Sequence, residues 1–233
     1  GNHGEDVKEY YYYLDATPTH SYAKMLYKYP QGAYPYADLV HENERRGKGV
    51  SEYELVDAIG DVLEAGRYFD VFVEYAKANE EDLLCRITAH NRGPDPAPLH
   101  LLPQVWFRNR WSWTHEAERP QMGVAGDREI RLRQEDLGER WWYASAPEGT
   151  AVDLLFTHNE TNRERLYDVA NPSPYVKDGI NDYVVDGVSD AVTPEQRGTK
   201  AAAHVRTEIP AGASRTVEVR FTPERTPQPF ADF

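Results

Sequence analysis

Much of the chain alternates apolar and polar residues with a period of two, the mark of strands that bury one face. Phe69, Val71, Val73 and Tyr75 share one face of YFDVFVEYA, and Leu83, Cys85, Ile87 and Ala89 share one face of LLCRITAHN. The pattern returns in LHLLPQVWF from Leu99, REIRLR from Arg128, RWWYASA from Arg140, AVDLLFTH from Ala151, AAHVRTEI from Ala202 and RTVEVRF from Arg215. The last two flank Pro210-Ala211-Gly212-Ala213-Ser214, a compact turn that predicts a terminal hairpin. Helical signals are short: Pro35 to Arg45 after a proline start, Ser51 to Val56, and Glu160 to Tyr167. Many strands and few short helices predict a mainly β fold, a large antiparallel β-sandwich.

A chain of 233 residues suits one large domain or two small ones and buries a core without disulfides. The Pro/Gly-rich HNRGPDPAP after Ile87 reads as a loop between strands, whereas Pro223, Pro227 and Pro229 change the character of the tail. Residues 1–222 are therefore expected to form the sandwich, with 223–233 starting a linker. The chain begins at Gly1 and not at Met, so it reads as a piece of something longer.

The formal net charge of -13 argues against nucleic-acid and anionic-membrane partners, which the overall field repels. No run approaches the roughly 18 apolar residues of a membrane span, and no basic and then apolar leader opens the sequence. The single Cys85 lies in an apolar run and reads as a buried structural thiol. These features together set a cytoplasmic location as the expectation.

The 8 histidines form no HExxH or other metal-ligand spacing, no GxSxG marks a serine nucleophile, and no Gly-rich phosphate loop is present. Neither a metal nor a cofactor is expected. The 39 acidic residues leave a carboxylate pair uninformative by abundance alone, although Asp6, Glu9 and Asp15 cluster near the start. Aromatic bias is the strongest chemical signal. Nine of the 16 tyrosines lie between Tyr10 and Tyr36, while the five tryptophans fall in VWFRNRWSW and at Trp141-Trp142. Rings with polar tips beside charged groups suit the apolar face and hydroxyls of a sugar, and they suit protein interfaces for the same reason. The candidate sugar-binding or interdomain residues are Asp6, Glu9, Tyr11, Tyr13, Asp15, Trp111 and Trp113. If their segment is a strand, Trp111 and Trp113 face the same way.

Five ordered blocks carry a family resemblance: NHGEDVKEYYYYLDATPTHSY, LYKYPQGAYPYADL, RYFDVFVEYAK, HNRGPDPAPLHLLPQVWFRNRWSW and IPAGASRTVEVRF. Together they resemble the N-terminal domain of long bacterial proteins in the glycoside hydrolase family 63-like group, which is related to processing α-glucosidase I and mannosylglycerate hydrolases. The resemblance implies a super-sandwich of the galactose-mutarotase-like kind followed by a catalytic (α/α)6 barrel of the same polypeptide. The catalytic carboxylates of such proteins belong to the barrel, so no catalytic residue is carried over onto this chain. It further implies an inverting parent enzyme acting on α-glucosides, with Tyr10 to Tyr13 packing on the barrel or edging its mouth. In isolation those rings would drive self-association. The rival readings are a free-standing carbohydrate-binding module and a small epimerase, to which the His and Glu spacing lends no support.

Overall fold

The computed structural model describes residues 9–113, 118–147 and 149–231. The fold is mainly β and antiparallel, with few short helices. Its strands are β1 (Tyr10–Ala16), β2 (Tyr22–Pro30), β3 (Tyr68–Lys77), β4 (Leu83–Asn91), β5 (Ala97–Leu101), β6 (Gln104–Trp106), β7 (Gln121–Gly126), β8 (Glu129–Gln134), β9 (Gly138–Ala144), β10 (Ala151–Thr157), β11 (Arg197–Gly198), β12 (Lys200–Ile209) and β13 (Ser214–Thr222). One sheet runs in the order β1-β2-β3-β4-β13-β9-β8-β7-β11 and a second in the order β10-β12-β5, with β6 also paired to β12. Two compact units divide the chain: residues 1–76, 85–99 and 208–216, and residues 77–84, 100–207 and 217–233.

In the first unit the tyrosine block is a strand. Tyr11 pairs with Tyr27 and Tyr13 with Met25 across the β1–β2 hairpin, and β2 pairs in turn with β3. The hairpin turn is held by Thr17, whose hydroxyl accepts from the amides of Ser21 and Tyr22. Helix α1 (Tyr36–Arg46) starts just after Pro35, with Asp38 in its first turn and Arg45 and Arg46 in its last, charges that suit the helix dipole. Leu39 packs there with Leu55 of α2 (Leu55–Ala58) and with Ile59, between α2 and α3 (Gly60–Glu64), and Tyr10 and Tyr34 lie against this cluster. The predicted helix at Ser51 to Val56 is thus displaced toward the C-terminus, because Glu54 and Asp57 form a capping box that starts α2 at Leu55. Cys85 is buried, as its apolar run indicates.

The terminal hairpin does not form: β12 and β13 lie in different sheets. The turn between them is stitched to Asn91 instead. The Asn91 amide donates to the Ala213 carbonyl, the Gly212 amide donates to the Asn91 carbonyl, and the Asn91 side chain donates to the Ile209 and Asp95 carbonyls. Pairing signals at both ends of a turn cannot reveal a third segment that takes its hydrogen bonds.

In the second unit, β7, β8 and β9 form a meander in which Met122, Ile130, Leu132 and Trp142 are buried. The expected strand LHLLPQVWF splits into β5 and β6 around Pro103, which has no amide to donate to a ladder. Helix α4 (Arg163–Tyr167) starts later than expected, since the Asn162 side chain caps it by accepting from the Arg165 amide. Helix α5 (Gly179–Asp186) has no counterpart in the sequence reading. It lays Ile180, Tyr183 and Val184 on Leu155 of β10 and Ala202 of β12. A Cβ at Gly179 would stand 2.3 Å from the Ala191 carbonyl oxygen, so that close approach requires glycine. Asp82 and Arg220 form a buried bidentate pair at 2.9 and 2.6 Å. No helix among the described residues is long and apolar enough to cross a membrane.

Candidate functional site

The second unit carries a cleft of about 560 Å³ bordered by Trp106, Trp113, Arg108, Asn109, Glu160 and Lys177. Its construction starts at the end of β10. The pairing of Trp106 with Lys200 fixes β6 beside β12, and the Phe107 amide continues the ladder by donating to the Thr199 carbonyl. Asn159 then links three segments: its amide donates to the Thr199 hydroxyl, its side chain donates to the Phe107 carbonyl, and its carbonyl accepts from the Asn109 side chain. Asn109 in turn accepts from the Ser112 amide, which closes the turn that presents Trp113. Gly198 makes this geometry attainable, because a Cβ there would fall 2.2 Å from the Thr157 carbonyl oxygen.

Within the cleft the two tryptophans are 58% and 69% exposed at positions 106 and 113. The Arg108 guanidinium lies 5.6 Å from the Trp113 ring centre, a cation–π distance. Glu160 is buried and held from two sides: Trp111 Nε1 donates to its Oε1 at 2.9 Å, and Arg119 approaches the same oxygen at 3.0 Å. Lys200 Nζ donates to the Lys177 carbonyl, and burial, aided by the Lys177 charge, pulls the Lys200 pKa down. The result is a pair of open aromatic faces amid donors, with one carboxylate among the described lining residues. Open rings amid hydrogen-bond donors have the chemistry that stacking on a pyranose and bonding its hydroxyls require.

The sequence candidates are scattered by the fold. Trp111 and Trp113 both belong to this cleft region, Trp111 as the donor behind it and Trp113 at its edge. They do not share a strand face, because residues 107–113 are a loop ending in a turn. Glu9, Tyr11, Tyr13 and Asp15 belong to the other unit, at β1, and Asp6 lies outside the described residues. Tyr11 and Tyr13 are exposed and meet edge to face at 5.8 Å. Glu9 bears on the tyrosines behind them: burial first, then the charge of Glu9, pushes the Tyr27 hydroxyl up, and the same causes push Tyr34 up to about 12. The sequence reading did not single out Trp106, Arg108, Asn109, Glu160 or Lys177 as site residues. Trp106 closes an alternating run and Glu160 comes from 49 residues beyond Trp111, so no local pattern joins them. Among the described residues no group of three or more His, Cys, Asp or Glu is placed to hold a metal ion.

No family model matches the chain. The chain is 40% identical over 254 aligned positions to the uncharacterized protein YMR196W of Saccharomyces cerevisiae, an alignment covering 95% of this chain. It spans 23% of that relative's length. Among solved structures, the crystal structure of a GalM/aldose epimerase homologue from C. elegans shares 9% identity, with 91% of this chain and 67% of that chain covered and a TM-score of 0.40. A likeness of that size fixes neither fold nor function. The matched relative is a yeast protein, so a bacterial origin gains no support, and none of these matches names a glycoside hydrolase.

Proposed function

We propose that this chain is a non-catalytic, carbohydrate-contacting domain of a longer polypeptide of glycoside hydrolase type. The observation that carries the proposal is the cleft with two open tryptophan faces amid Arg108, Asn109 and Lys177. A sugar ring stacks on Trp113 or Trp106, and the cationic and amide groups donate to its hydroxyls. Catalysis belongs elsewhere in the polypeptide: inversion at a glycosidic carbon needs two carboxyl groups roughly 6.5–9.5 Å apart. The cleft offers Glu160 alone among its described lining residues, already bound by Trp111 and Arg119.

The family 63-like resemblance supports a catalytic (α/α)6 partner in the same chain, with residues 223–233 leading toward it, and an inverting α-glucosidase as the whole enzyme. A relative more than four times as long is consistent with that layout. The partner covers the exposed Tyr11, Tyr12 and Tyr13 of edge strand β1, which the isolated chain otherwise uses to self-associate. A cytoplasmic location completes the proposal.

The test is a glycan array probed with the 233-residue chain. Retention of α-glucosides, lost for Trp113→Ala, is the expected result; a blank array across neutral oligosaccharides would sink the carbohydrate reading.

A further inference from the structure

A second concave surface of the same unit has the opposite chemistry to the acidic chain around it. The meander places residues in a lateral row across four strands: Arg197 of β11 pairs with Gly123 of β7, Gly123 with Arg131 of β8, and Arg131 with Trp141 of β9. Directly paired residues share a sheet face, and Arg133 shares it too, two positions along β8 from Arg131. Leu132, between them, and Ile130, just before Arg131, are buried on the other face. Arg225, reached after β13, lays its guanidinium 5.0 Å from the Trp141 ring centre, and Arg131 lies 5.9 Å from the same ring. All four arginines border one cleft of about 740 Å³.

Gly123 decides why this is a cleft. It interrupts the row of long side chains with none, leaving a gap one strand wide, flanked by arginines whose backbones stand about 10 Å apart. Its backbone is not in the left-handed region, and a Cβ there would meet the Arg197 Cβ at an ordinary 3.5 Å, so the conformation does not demand glycine. The gap is open space at the floor of the cleft.

The charges do not cancel. Arg131 is paired with Glu139, and Arg225 forks onto Glu129 at 2.7 and 3.1 Å. Arg133 and Arg197 have no side-chain acid partner among the described residues. His158 also borders the cleft, and its Nδ1 is a buried atom with no hydrogen-bond partner among them. Two guanidiniums without an acid partner among the described residues therefore face one cavity in a chain of net charge -13. A planar carboxylate is satisfied by a single guanidinium fork, whereas the three terminal oxygens of a phosphate monoester accept from several converging forks and balance two positive charges.

We propose that this cleft is a binding site for the phosphate group of a small phosphorylated ligand, with Arg133 and Arg197 as its principal contacts and the Gly123 gap as its seat. The site is separate from the tryptophan cleft in its residues and stands whether or not that cleft binds sugar.

Calorimetric titration of the 233-residue chain tests it, with inorganic phosphate, glucose 6-phosphate, glucose and malonate as probes at fixed ionic strength. Saturable binding of both phosphates is expected, that of inorganic phosphate undiminished by added glucose, with at least tenfold weaker binding for malonate. Arg133→Gln and Arg197→Gln should each weaken phosphate about tenfold or more. Gly123→Leu should abolish it with every arginine in place, while Arg45→Gln, in the other unit, should change nothing. Circular dichroism confirms that each variant folds. Absence of saturation by either phosphate, equal affinity for malonate, or unchanged binding in Arg197→Gln and Gly123→Leu would each overturn the proposal.

Discussion

Tyr11 and Tyr13 on β1 and Trp106 and Trp113 near the end of β10 are all strongly exposed, yet they are presented in different ways. The tyrosines sit two apart on a strand at a sheet edge, where the backbone dictates their direction and each ring has the other as its neighbour. The tryptophans come from a short strand and a loop turn that Asn109 and Asn159 tie to β10, so they border a concavity shared with charged groups. Aromatic density marks both regions equally. Of these two regions, only the tryptophan cleft also shows polar convergence, which depends on residues distant in sequence and is the ground for its proposed ligand role.

The largest expected effect lies in the scaffold of the second unit. Asp82→Ala leaves the Arg220 charge buried without its bidentate partner and should cost about 3–5 kcal/mol in urea denaturation. Tyr13→Ser on the open strand should stay within about 0.5 kcal/mol. An equal loss from both would break the contrast. Next comes Trp113→Ala, expected to weaken oligosaccharide binding roughly tenfold with little change in melting temperature, while Tyr13→Ala leaves binding intact.

Titration separates the regions as well. In the second unit, burial and then Arg119 lower the His158 pKa, and burial and then His100 lower that of His204. The unfolded chain thus takes up these protons at higher pH than the folded chain does. Their stabilisation is full above about pH 6.5 and is lost as pH falls through that value toward the lowered folded-state pKa values. In the first unit, burial pushes Cys85 up to about 11 and Tyr34 and Tyr75 up to about 12. Their contribution is full below the unfolded values of about 9 to 10 and is lost as pH rises through the folded ones. Hydrogen exchange resolved by segment should show residues 100–207 loosening first in acid and residues 9–76 in alkali; simultaneous loosening at both extremes would contradict this division. The smallest effect is expected from Tyr11→Ser with Tyr13→Ser, which should reduce self-association in sedimentation without altering secondary structure.

The mainly β class was legible because burial of one strand face writes itself into alternate residues, as in β8, where Ile130 and Leu132 are buried and Arg131 and Arg133 are not. Failures occurred where a distant group overrode the local pattern. Asn91 claims the turn after β12, and Pro103 breaks an apparently continuous strand. For the site, clustering of aromatics pointed to Trp111 and Trp113 but left their facing to depend on a strand, and the Asn109–Ser112 bond makes a turn of that stretch instead. Glu160 read only as the start of a short helix, and no local signal tied it or Asn159 to the tryptophans, since their roles exist only once β10, β6 and β12 are assembled. The arginine row shares that character: REIRLR shows a strand, but only pairing with β7 and β11 brings Arg197 alongside.

The most direct test of the central claim is calorimetric titration of malto-oligosaccharides into the 233-residue chain beside its Trp113→Ala, Trp106→Ala and Tyr13→Ala variants. Saturable heat for the parent and for Tyr13→Ala, with affinity about tenfold or more lower in the tryptophan variants, is the result predicted here. No heat for the parent, or undiminished heat in both tryptophan variants, would contradict a carbohydrate role for the cleft.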